Sequence, residues 1–221
     1  MLRRLAIALL LALGCAGTAL GQSGAALTQA DPASLPARDA HDGLLLAADP
    51  YLDAPRYKTR FGKKNPYEAG ILAIEIYFRN DTEKPIQINL ESIRLILAPP
   101  EVRRQRFGAL APEDVADRIL NKGGPNPTTS RKPLPIPGGG PRVKHNKQYE
   151  ELVQTLRATA FETDLLPPHG TVHGVFFFDF GGRFELLPYA RFYLPDLKFM
   201  DSKQPLLYFE IELARATSAP R

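Results

Sequence analysis

Hydrophobic and polar residues alternate along much of the chain after Gly70. In the first clear run, the apolar residues on one side are Leu72, Ile74, Ile76 and Phe78. In the second run, the residues on one side are Val172, Gly174, Phe176, Phe178 and Phe180. A period of two residues places successive side chains on opposite faces of a β-strand. The pattern therefore predicts two long strands. Both faces of the second are partly apolar, so we expect it to be central in its sheet or covered on both sides.

Shorter runs of the same kind predict further strands at 86–90, 93–97, 190–194, 197–200 and 206–213. Two more pieces, 44–47 and 57–61, are candidates for edge strands. Turn-forming residues rich in Pro, Gly and Asn separate the runs. About seven short strands joined in this way are typical of a β-sandwich. The sequence thus predicts an all-β fold, an immunoglobulin-like antiparallel β-sandwich over residues 43–216, with a tail at 217–221.

The middle of the chain interrupts this pattern. Pro112 and the two acidic residues after it are typical of a helix start, because proline suits the first helical position and acids suit the positive helix end. Apolar residues at helical spacing predict a second helix from Tyr149 to Ala160. We therefore predict an inserted pair of helices within 101–165. The helices are expected at about 112–122 and 147–160, with a disordered Pro-rich loop at 123–146.

The first 21 residues have the layout of a secretory signal peptide. Arg3 and Arg4 precede an apolar run at 5–13, and small residues follow. This run is too short to cross a bilayer, which takes about 20 residues. We expect a signal peptide at 1–21, a flexible leader at 22–42, and an exported protein in the periplasm or outer cell envelope.

Two ways of processing this signal are open. Small residues before Gln22 suit cleavage after Gly21. Alternatively, the segment 12–15, ALGC, resembles a bacterial lipobox, in which the cysteine is acylated and becomes the mature N-terminus. Cys15 is thus a candidate lipidation site. The protein would then contact the membrane through that lipid anchor alone.

Charge and cysteine content exclude several classes of protein. Lysine and arginine number 28 against 24 acidic residues, a net charge of +4. Two of these positive charges lie in the signal, and the remaining excess of about +2 does not favour a nucleic-acid partner. The single cysteine excludes a disulfide framework and a cysteine metal cluster. His169 and His173 would lie roughly 13 Å apart along a strand, so we expect neither a metal site nor a cofactor.

Two turn motifs are similar to those of a known class of domains. The segment 80–86, NDTEKPI, matches the pattern N-x-[ST]-x-K-P-I. The segment 166–178, LPPHGTVHGVFFF, matches L-P-P-x-G-x-x-x-G-x-[FL]-x-F. The chain therefore resembles the exported immunoglobulin-like domains of bacterial envelope proteins and lipoproteins. This resemblance implies a sandwich fold and an envelope setting, and it transfers no catalytic residue because such domains share none.

No motif in the sequence predicts catalysis. A G-x-S-x-G nucleophile elbow and a P-loop are absent, and the single cysteine is in the signal. Glu75, Glu210 and Glu212 fall on outward-facing strand positions. We therefore expect a protein without enzymatic activity. Acids that meet across strands would still allow glycan hydrolysis.

The Pro-rich loop is the best sequence candidate for contacting a partner. Residues 132–137 favour a polyproline II conformation, which is preformed for recognition, and basic residues flank them. The candidate docking residues are Arg131, Lys132, Pro133, Pro135, Pro137, Arg142 and Lys144. Our leading hypothesis is a non-enzymatic binding or assembly module that contacts an envelope protein through its inserted region.

The alternative hypothesis is a carbohydrate-binding or hydrolytic sandwich that acts on a cell-wall or other glycan. Its site would be built on Tyr77, Tyr189, Tyr193 and Tyr208, with Glu75 or Glu210 as an acid.

A segment at 56–67 combines basic and aromatic residues. We interpret it as an edge strand whose lysines and arginines prevent aggregation.

Overall fold

A computed structural model describes residues 31–121 and 147–217 of the chain. The strands in these ranges are β1 (Arg38–His41), β2 (Leu44–Pro50), β3 (Ile71–Asn80), β4 (Ile86–Ile88), β5 (Arg94–Leu97), β6 (Gln105–Leu110), β7 (Leu165–Leu166), β8 (Thr171–Asp179), β9 (Ala190–Leu194), β10 (Leu197–Phe199) and β11 (Phe209–Glu212). The helices are α1 (Ala54–Phe61), α2 (Pro112–Leu120), α3 (Lys147–Arg157) and α4 (Ala214–Thr217). None of these helices has the length and hydrophobicity needed to span a bilayer.

Eight of the strands form one antiparallel sheet in the order β1-β2-β3-β8-β6-β5-β9-β11. The longest ladder joins β3 to β8 through nine residue pairs, whereas β6 meets β8 through two. The end strands of the sheet approach each other, and the ring of His41 stacks on Phe209 with 3.8 Å between centroids. The sheet is therefore nearly barrel-like. A second, small sheet has the order β10-β4-β7.

The prediction of a mostly β, antiparallel fold is confirmed. The predicted immunoglobulin-like sandwich would have two separate sheets. Here, two four-stranded halves are joined where Ala109 and Leu110 of β6 pair with β8. An alternating pattern specifies which face of a strand is buried, but it does not specify which strands pair. The connection between the halves could not be read from the pattern for this reason.

The apolar face predicted for each long strand lies in the main core. Its buried residues include Leu72, Ile74, Ile76 and Phe78 of β3, Phe176 and Phe178 of β8, Phe192 of β9, and Phe209 of β11. Aromatic rings connect the two halves of the sheet, because Phe192 lies 5.7 Å from Phe176 and 6.3 Å from Phe178 between ring centroids. The two halves therefore share one core.

Helices α1, α2 and α3 cover the outer face of β3 and β8. Their buried side chains include Tyr57, Phe61, Val115, Ile119 and Leu156, which pack in one cluster with Val175 and Phe177 of β8. The prediction that β8 is covered on both sides is thus confirmed. The two predicted helices are present as α2 and α3, each slightly shorter than expected. The predicted Pro-rich loop, 123–146, lies outside the described residues.

The predicted edge strand at 57–61 is wrong, because these residues belong to helix α1. Asp53 caps the helix by accepting a hydrogen bond from the N–H of Arg56, and Pro55 lies in the first turn. Tyr57 and Phe61 are both buried. A spacing of four places two side chains on one face of either a strand or a helix, so the aromatic pair did not distinguish them. The aggregation-preventing role inferred for 56–67 is therefore withdrawn.

Several predicted boundaries also differ from the structure. The leader predicted at 22–42 contains β1, which pairs with β2, and Ala37 is fully buried beside it. Strand β1 could not be predicted from its polar sequence, because the backbone hydrogen bonds that form a strand do not depend on side-chain type. The insertion predicted at 101–165 contains β6, a member of the large sheet, and the edge strand predicted at 44–47 lies between two others as β2.

Candidate functional site

A polar cluster interrupts the apolar outer face of β2, β3 and β8. The strand register places Asp49 beside Glu75, and Tyr77 beside His173, on the side that faces the helices. Glu75 is 9% exposed. A buried carboxylate is costly unless it is hydrogen-bonded, so its surroundings are a candidate site. The Glu75 cluster, as we name it, consists of Asp49, Tyr51, Arg56, Arg60, Glu75, Tyr77 and His173.

Both carboxylate oxygens of Glu75 are bound. Oε2 accepts a hydrogen bond from the Tyr51 hydroxyl at 3.1 Å. Oε1 lies 3.2 Å from Nδ1 of His173, which donates to it in the tautomer that carries the proton on Nδ1. The His173 ring stacks on Tyr77, with centroids 5.4 Å apart and 14° between the planes. Glu75 and Tyr77 therefore fix the orientation of the imidazole.

Two arginines of helix α1 reach the cluster, and they differ in their partners. Arg56 donates two hydrogen bonds to Asp49, at 2.8 and 2.5 Å, and its guanidinium lies 4.0 Å from the centre of the Tyr51 ring. Arg60 follows one helical turn later. Its Nε is buried and has no hydrogen-bond acceptor among the described residues. Arg56 thus forms an ion pair within the cluster, whereas the Nε of Arg60 has no hydrogen-bond partner among the described residues.

Burial raises the pKa of three tyrosines in this region. Desolvation is the largest cause of the raised pKa of Tyr51, and the negative charge of Glu75 adds to it. Desolvation likewise raises the pKa of Tyr57. Burial and the charge of Glu75 raise the pKa of Tyr77 to about 12, and Arg60 is among the groups that oppose the rise.

We expect the free energy of unfolding to fall as the pH rises from 10 to 12. An unfolded tyrosine ionises near pH 10.0, whereas folded Tyr77 keeps its proton up to a pKa of about 12. In this interval the folded state binds more protons than the unfolded state, so the free energy of unfolding decreases as the pH rises. Below pH 10 the Tyr77 hydroxyl is protonated in both states, so it causes no change of stability with pH. Urea unfolding curves on both sides of pH 10 measure this. The variant Tyr77→Phe should lose less stability over the interval, and an identical loss would exclude Tyr77 as the cause.

A histidine oriented by a buried carboxylate is an arrangement that enzymes use for proton transfer. The described side chains that hydrogen-bond to or stack on His173 are Glu75 and Tyr77. No serine, threonine or cysteine in the described ranges is hydrogen-bonded to its imidazole. The same ranges contain no group of three or more His, Cys, Asp or Glu residues able to hold a metal ion. The cluster therefore offers hydrogen-bond donors and an oriented imidazole, without a nucleophile at hand.

A second candidate surface is the outer face of β5, β6, β9 and β11. Cross-strand pairing aligns Arg106, Ile96, Arg191 and Glu212 in one row; within this row Ile96 is buried, at 2% exposure. The next row is Arg94, Tyr193 and Glu210. The turn between β5 and β6 adds exposed residues beside these rows. The arginine–tyrosine face, as we name it, consists of Arg94, Val102, Arg103, Arg104, Arg106, Arg191, Tyr193 and Tyr208.

The arginine–tyrosine face carries more positive charge than its acids neutralise. Arg191 pairs with Glu210 at 2.9 Å and with Glu212 at 3.4 Å. Arg103, Arg104 and Arg106 form no ion pair with a described residue, and Arg94 donates to the backbone carbonyls of Glu91 and Ile93 instead of to an acid. Tyr193 and Tyr208 lie side by side with ring centroids 5.7 Å apart. The face thus combines unpaired guanidinium groups with an accessible aromatic pair.

No protein-family model matches the chain, and no curated protein matches it. Among solved structures, the chain is similar to one described as the crystal structure of a functionally unknown protein from Listeria monocytogenes EGD-e. The similarity covers 72% of this chain and 70% of that chain, with 13% sequence identity and a TM-score of 0.32. A similarity this low carries no argument about function.

The four tyrosines predicted for a glycan site do not form one surface. Tyr193 and Tyr208 are neighbours, and Tyr189 is exposed just before β9. Tyr77 is 4% exposed and lies on β3. Strands β8, β6 and β5 stand between β3 and β9 in the sheet. The pattern of side chains along each strand could not show that these tyrosines belong to different halves of the sheet.

The predicted acids are separated in the same way. Glu210 lies on the arginine–tyrosine face beside Arg191, whereas Glu75 lies on the other half of the sheet. Both are on outer faces, as expected, but helices cover the face of Glu75. The candidate lipidation residue Cys15 and the candidate docking residues from 131 to 144 lie outside the described residues.

Sequence reasoning missed the Glu75 cluster, although a signal for it was present. Glu75 is the one acid in an otherwise apolar stretch at 71–78, and His173 holds a similarly unusual position near the start of β8. From the sequence, Glu75 is considered as an acid of a glycan site and His173 as a metal ligand beside His169, but the two residues are not related to each other. The strand register that brings them together comes from the fold, so neither residue drew attention to the other.

Proposed function

We propose that this protein is an exported, non-enzymatic binding module of the bacterial cell envelope that contacts an envelope protein through its arginine–tyrosine face. The supporting observation is the group of exposed arginines at 103, 104 and 106, which have no acidic partner among the described residues. These arginines lie on strand β6 and just before it, so they belong to the large sheet and to the turn that leads into it. The secretory layout of residues 1–21 supports export. We also propose that the chain is related to the immunoglobulin-like envelope domains that its turn motifs resemble.

The chemistry of the face suits a protein contact. Arginine and tyrosine are enriched among the residues that contribute most to interfaces. Val102, which is 54% exposed, supplies an apolar contact beside the arginines. The surplus positive charge favours a partner with an acidic surface, because opposite potentials steer the encounter and determine its orientation.

Reversing the charge of Arg103, Arg104 and Arg106 together to glutamate should abolish partner capture. The measurement is a pull-down from a solubilised envelope fraction, with quantitative mass spectrometry of what is retained. A matched control reverses Lys58, Lys63 and Lys64, which are exposed residues at and after helix α1. The control variant should still capture the partner. Capture by the unchanged protein should weaken when salt is added, because salt screens the charges. Equal capture by both variants would contradict the proposed surface.

The Pro-rich loop is an alternative contact site for the partner. Deleting this loop distinguishes it from the arginine–tyrosine face. If the arginine–tyrosine face binds the partner, a chain that lacks residues 124–146 should still capture it. Loss of capture on deletion, with retention after charge reversal, would assign binding to the loop residues from 131 to 144 instead.

A specific observation favours a second candidate, binding of an acidic glycan on the same face. Tyr193 and Tyr208 are adjacent, and Tyr208 is 54% exposed, so their rings can stack on sugar faces. A glycan array would then show binding to uronate-containing oligosaccharides. Changing both tyrosines to alanine should remove that binding, whereas protein capture depends on the arginines.

A further inference from the structure

A polar cleft lies where the small sheet meets the start of β5. It has a volume of about 440 Å³. Three of its acids come just before a strand, Glu91 before β5, Asp164 before β7 and Asp196 before β10. Segments of both sheets thus bring their carboxylates to one opening. The acidic cleft, as we name it, has as its charged lining residues Glu91, Glu162, Asp164, Asp196 and Lys198.

The acidic cleft carries more negative charge than the cations beside it neutralise. Asp196 accepts a hydrogen bond from the side-chain amide of Asn89 at 2.8 Å. The acids of the cleft that form no ion pair with a described residue are Glu91, Glu162, Asp164 and Asp196. Two cations lie beside them, Lys198 in the lining and Arg94, whose guanidinium donates to the backbone carbonyl of Glu91. With both counted, four carboxylates against two cations leave an excess of two negative charges.

The arginine–tyrosine face offers the opposite charge at the other end of β5. Leu97, the last residue of β5, pairs with Gln105, so the turn that carries Arg103 and Arg104 lies at that end. The four residues of β5, about 13 Å of extended strand, separate this turn from the acidic cleft. No ion pair among the described residues joins the two surfaces. One molecule therefore carries unpaired arginines and unpaired acids that do not neutralise each other.

Each surface also has an exposed apolar residue beside its charges. Val102 precedes Arg103 and is exposed, and Leu165 follows Asp164 and is 39% exposed. Protein interfaces combine apolar contacts with a polar rim. The two surfaces thus complement each other in charge, and each can contribute an apolar contact.

We propose that the arginine–tyrosine face binds the acidic cleft of a second copy of this chain. This inference rests on the proposed function, because it names the protein partner of that face. Guanidinium groups bind carboxylates through paired hydrogen bonds, which fixes the orientation of the partner as well as its charge. The overall charge does not oppose the contact. Without the two arginines of the signal, 28 basic and 24 acidic residues leave an excess of only about +2, and a net charge near zero favours association.

Sedimentation velocity of the purified protein measures self-association directly. We expect the sedimentation coefficient to rise with protein concentration, and added salt to reduce this rise because it screens the charges. The turn variant has the substitutions Arg103→Glu, Arg104→Glu and Arg106→Glu. The cleft variant has the substitutions Glu91→Lys, Glu162→Lys and Asp164→Lys. Each variant should weaken self-association roughly 10-fold or more, because charged pairs across the contact are replaced by repulsion. An unchanged protein that stays monomeric at every concentration would overturn the inference.

Mixing the two variants tests whether these two surfaces bind each other. Each variant alone carries like charges on its turn and its cleft, so neither should self-associate. In the mixture, the acidic turn of one variant meets the basic cleft of the other, and the basic turn meets the acidic cleft. Association should therefore return on mixing. Two variants with normal unfolding temperatures that remain monomeric when mixed would refute the pairing of turn and cleft.

A control variant separates the cleft from the overall charge of the molecule. It has the substitutions Asp114→Lys, Asp117→Lys and Glu150→Lys, at exposed acids of helices α2 and α3. This variant should self-associate as the unchanged protein does. Weakening equal to that of the cleft variant would show that the acidic cleft has no particular role.

The inference and the proposed function can fail separately. A protein that stays monomeric, yet captures a different envelope protein through Arg103, Arg104 and Arg106, would refute this inference and leave the proposed function standing. If the turn variant both self-associates and captures envelope proteins like the unchanged chain, the arginine–tyrosine face is not a contact surface and both proposals fail.

Discussion

Replacing Phe192 with alanine should lower the free energy of unfolding by about 3–5 kcal/mol. Its side chain is fully buried on β9 and packs against Phe176 and Phe178 of β8, which belong to the other half of the sheet. Truncation removes this apolar contact and leaves a cavity between the halves. Urea unfolding followed by tyrosine fluorescence and by far-ultraviolet circular dichroism measures the loss.

The matched control is Leu207→Ala. Leu207 is 63% exposed, so the same kind of truncation should change stability by no more than about 0.5 kcal/mol. Both probes should report a single transition for Phe192→Ala if the two halves share one core. A loss of less than about 1 kcal/mol would show that the contacts of Phe192 across the core contribute little.

Adding one methyl group at Gly174 should destabilise the fold by about 3 kcal/mol. Gly174 lies on the core side of β8, and a Cβ atom there would lie 2.6 Å from Cα of Phe161 and 2.9 Å from its backbone nitrogen. Hydrogen bonds between the backbone of Val175 and that of Thr159 and Phe161 hold this segment in place. The clash is with backbone, so no side-chain rotation relieves it. The unfolding midpoint of Gly174→Ala in urea measures the effect.

Gly108→Ala is the control for this substitution. Gly108 is also a strand glycine, on β6, and a Cβ atom there would meet nothing within 4 Å. Alanine restricts the unfolded chain more than glycine does, so this variant should be stabilised by about 0.4–1 kcal/mol. Similar stability of the two variants would mean that the close approach of Phe161 is not what requires glycine at 174.

Burial was predicted correctly where it follows directly from a local pattern of apolar residues. The alternation at Leu72, Ile74, Ile76 and Phe78 placed β3 and its core face correctly, since one face of a strand is read from every second residue. Helices α2 and α3 were found from their apolar spacing and from the proline at the start of α2. Strand β1 was missed because its polar residues carry no such pattern.

The candidate site was less accessible to sequence reasoning. Arg56 and Arg60 were assigned to an edge strand, and their placement over the sheet depends on α1 being a helix. The bond between Glu75 and His173 joins residues 98 positions apart. Their contact requires the β3–β8 register, which forms from backbone hydrogen bonds that every sequence position offers equally.

The amino-acid sequence by itself determined the segments that carry a regular apolar pattern, among them strands β3 and β8 and helices α2 and α3, and which of their faces turn inward. These depend on the spacing of apolar side chains over a few residues. Tertiary structure alone decided that the strands join into one nearly barrel-like sheet. It also decided that the buried carboxylate of Glu75 meets His173, and that the predicted tyrosines lie on separate halves of the sheet. These outcomes depend on the pairing of strands distant in sequence, and the energies that select one pairing are distributed over the whole core.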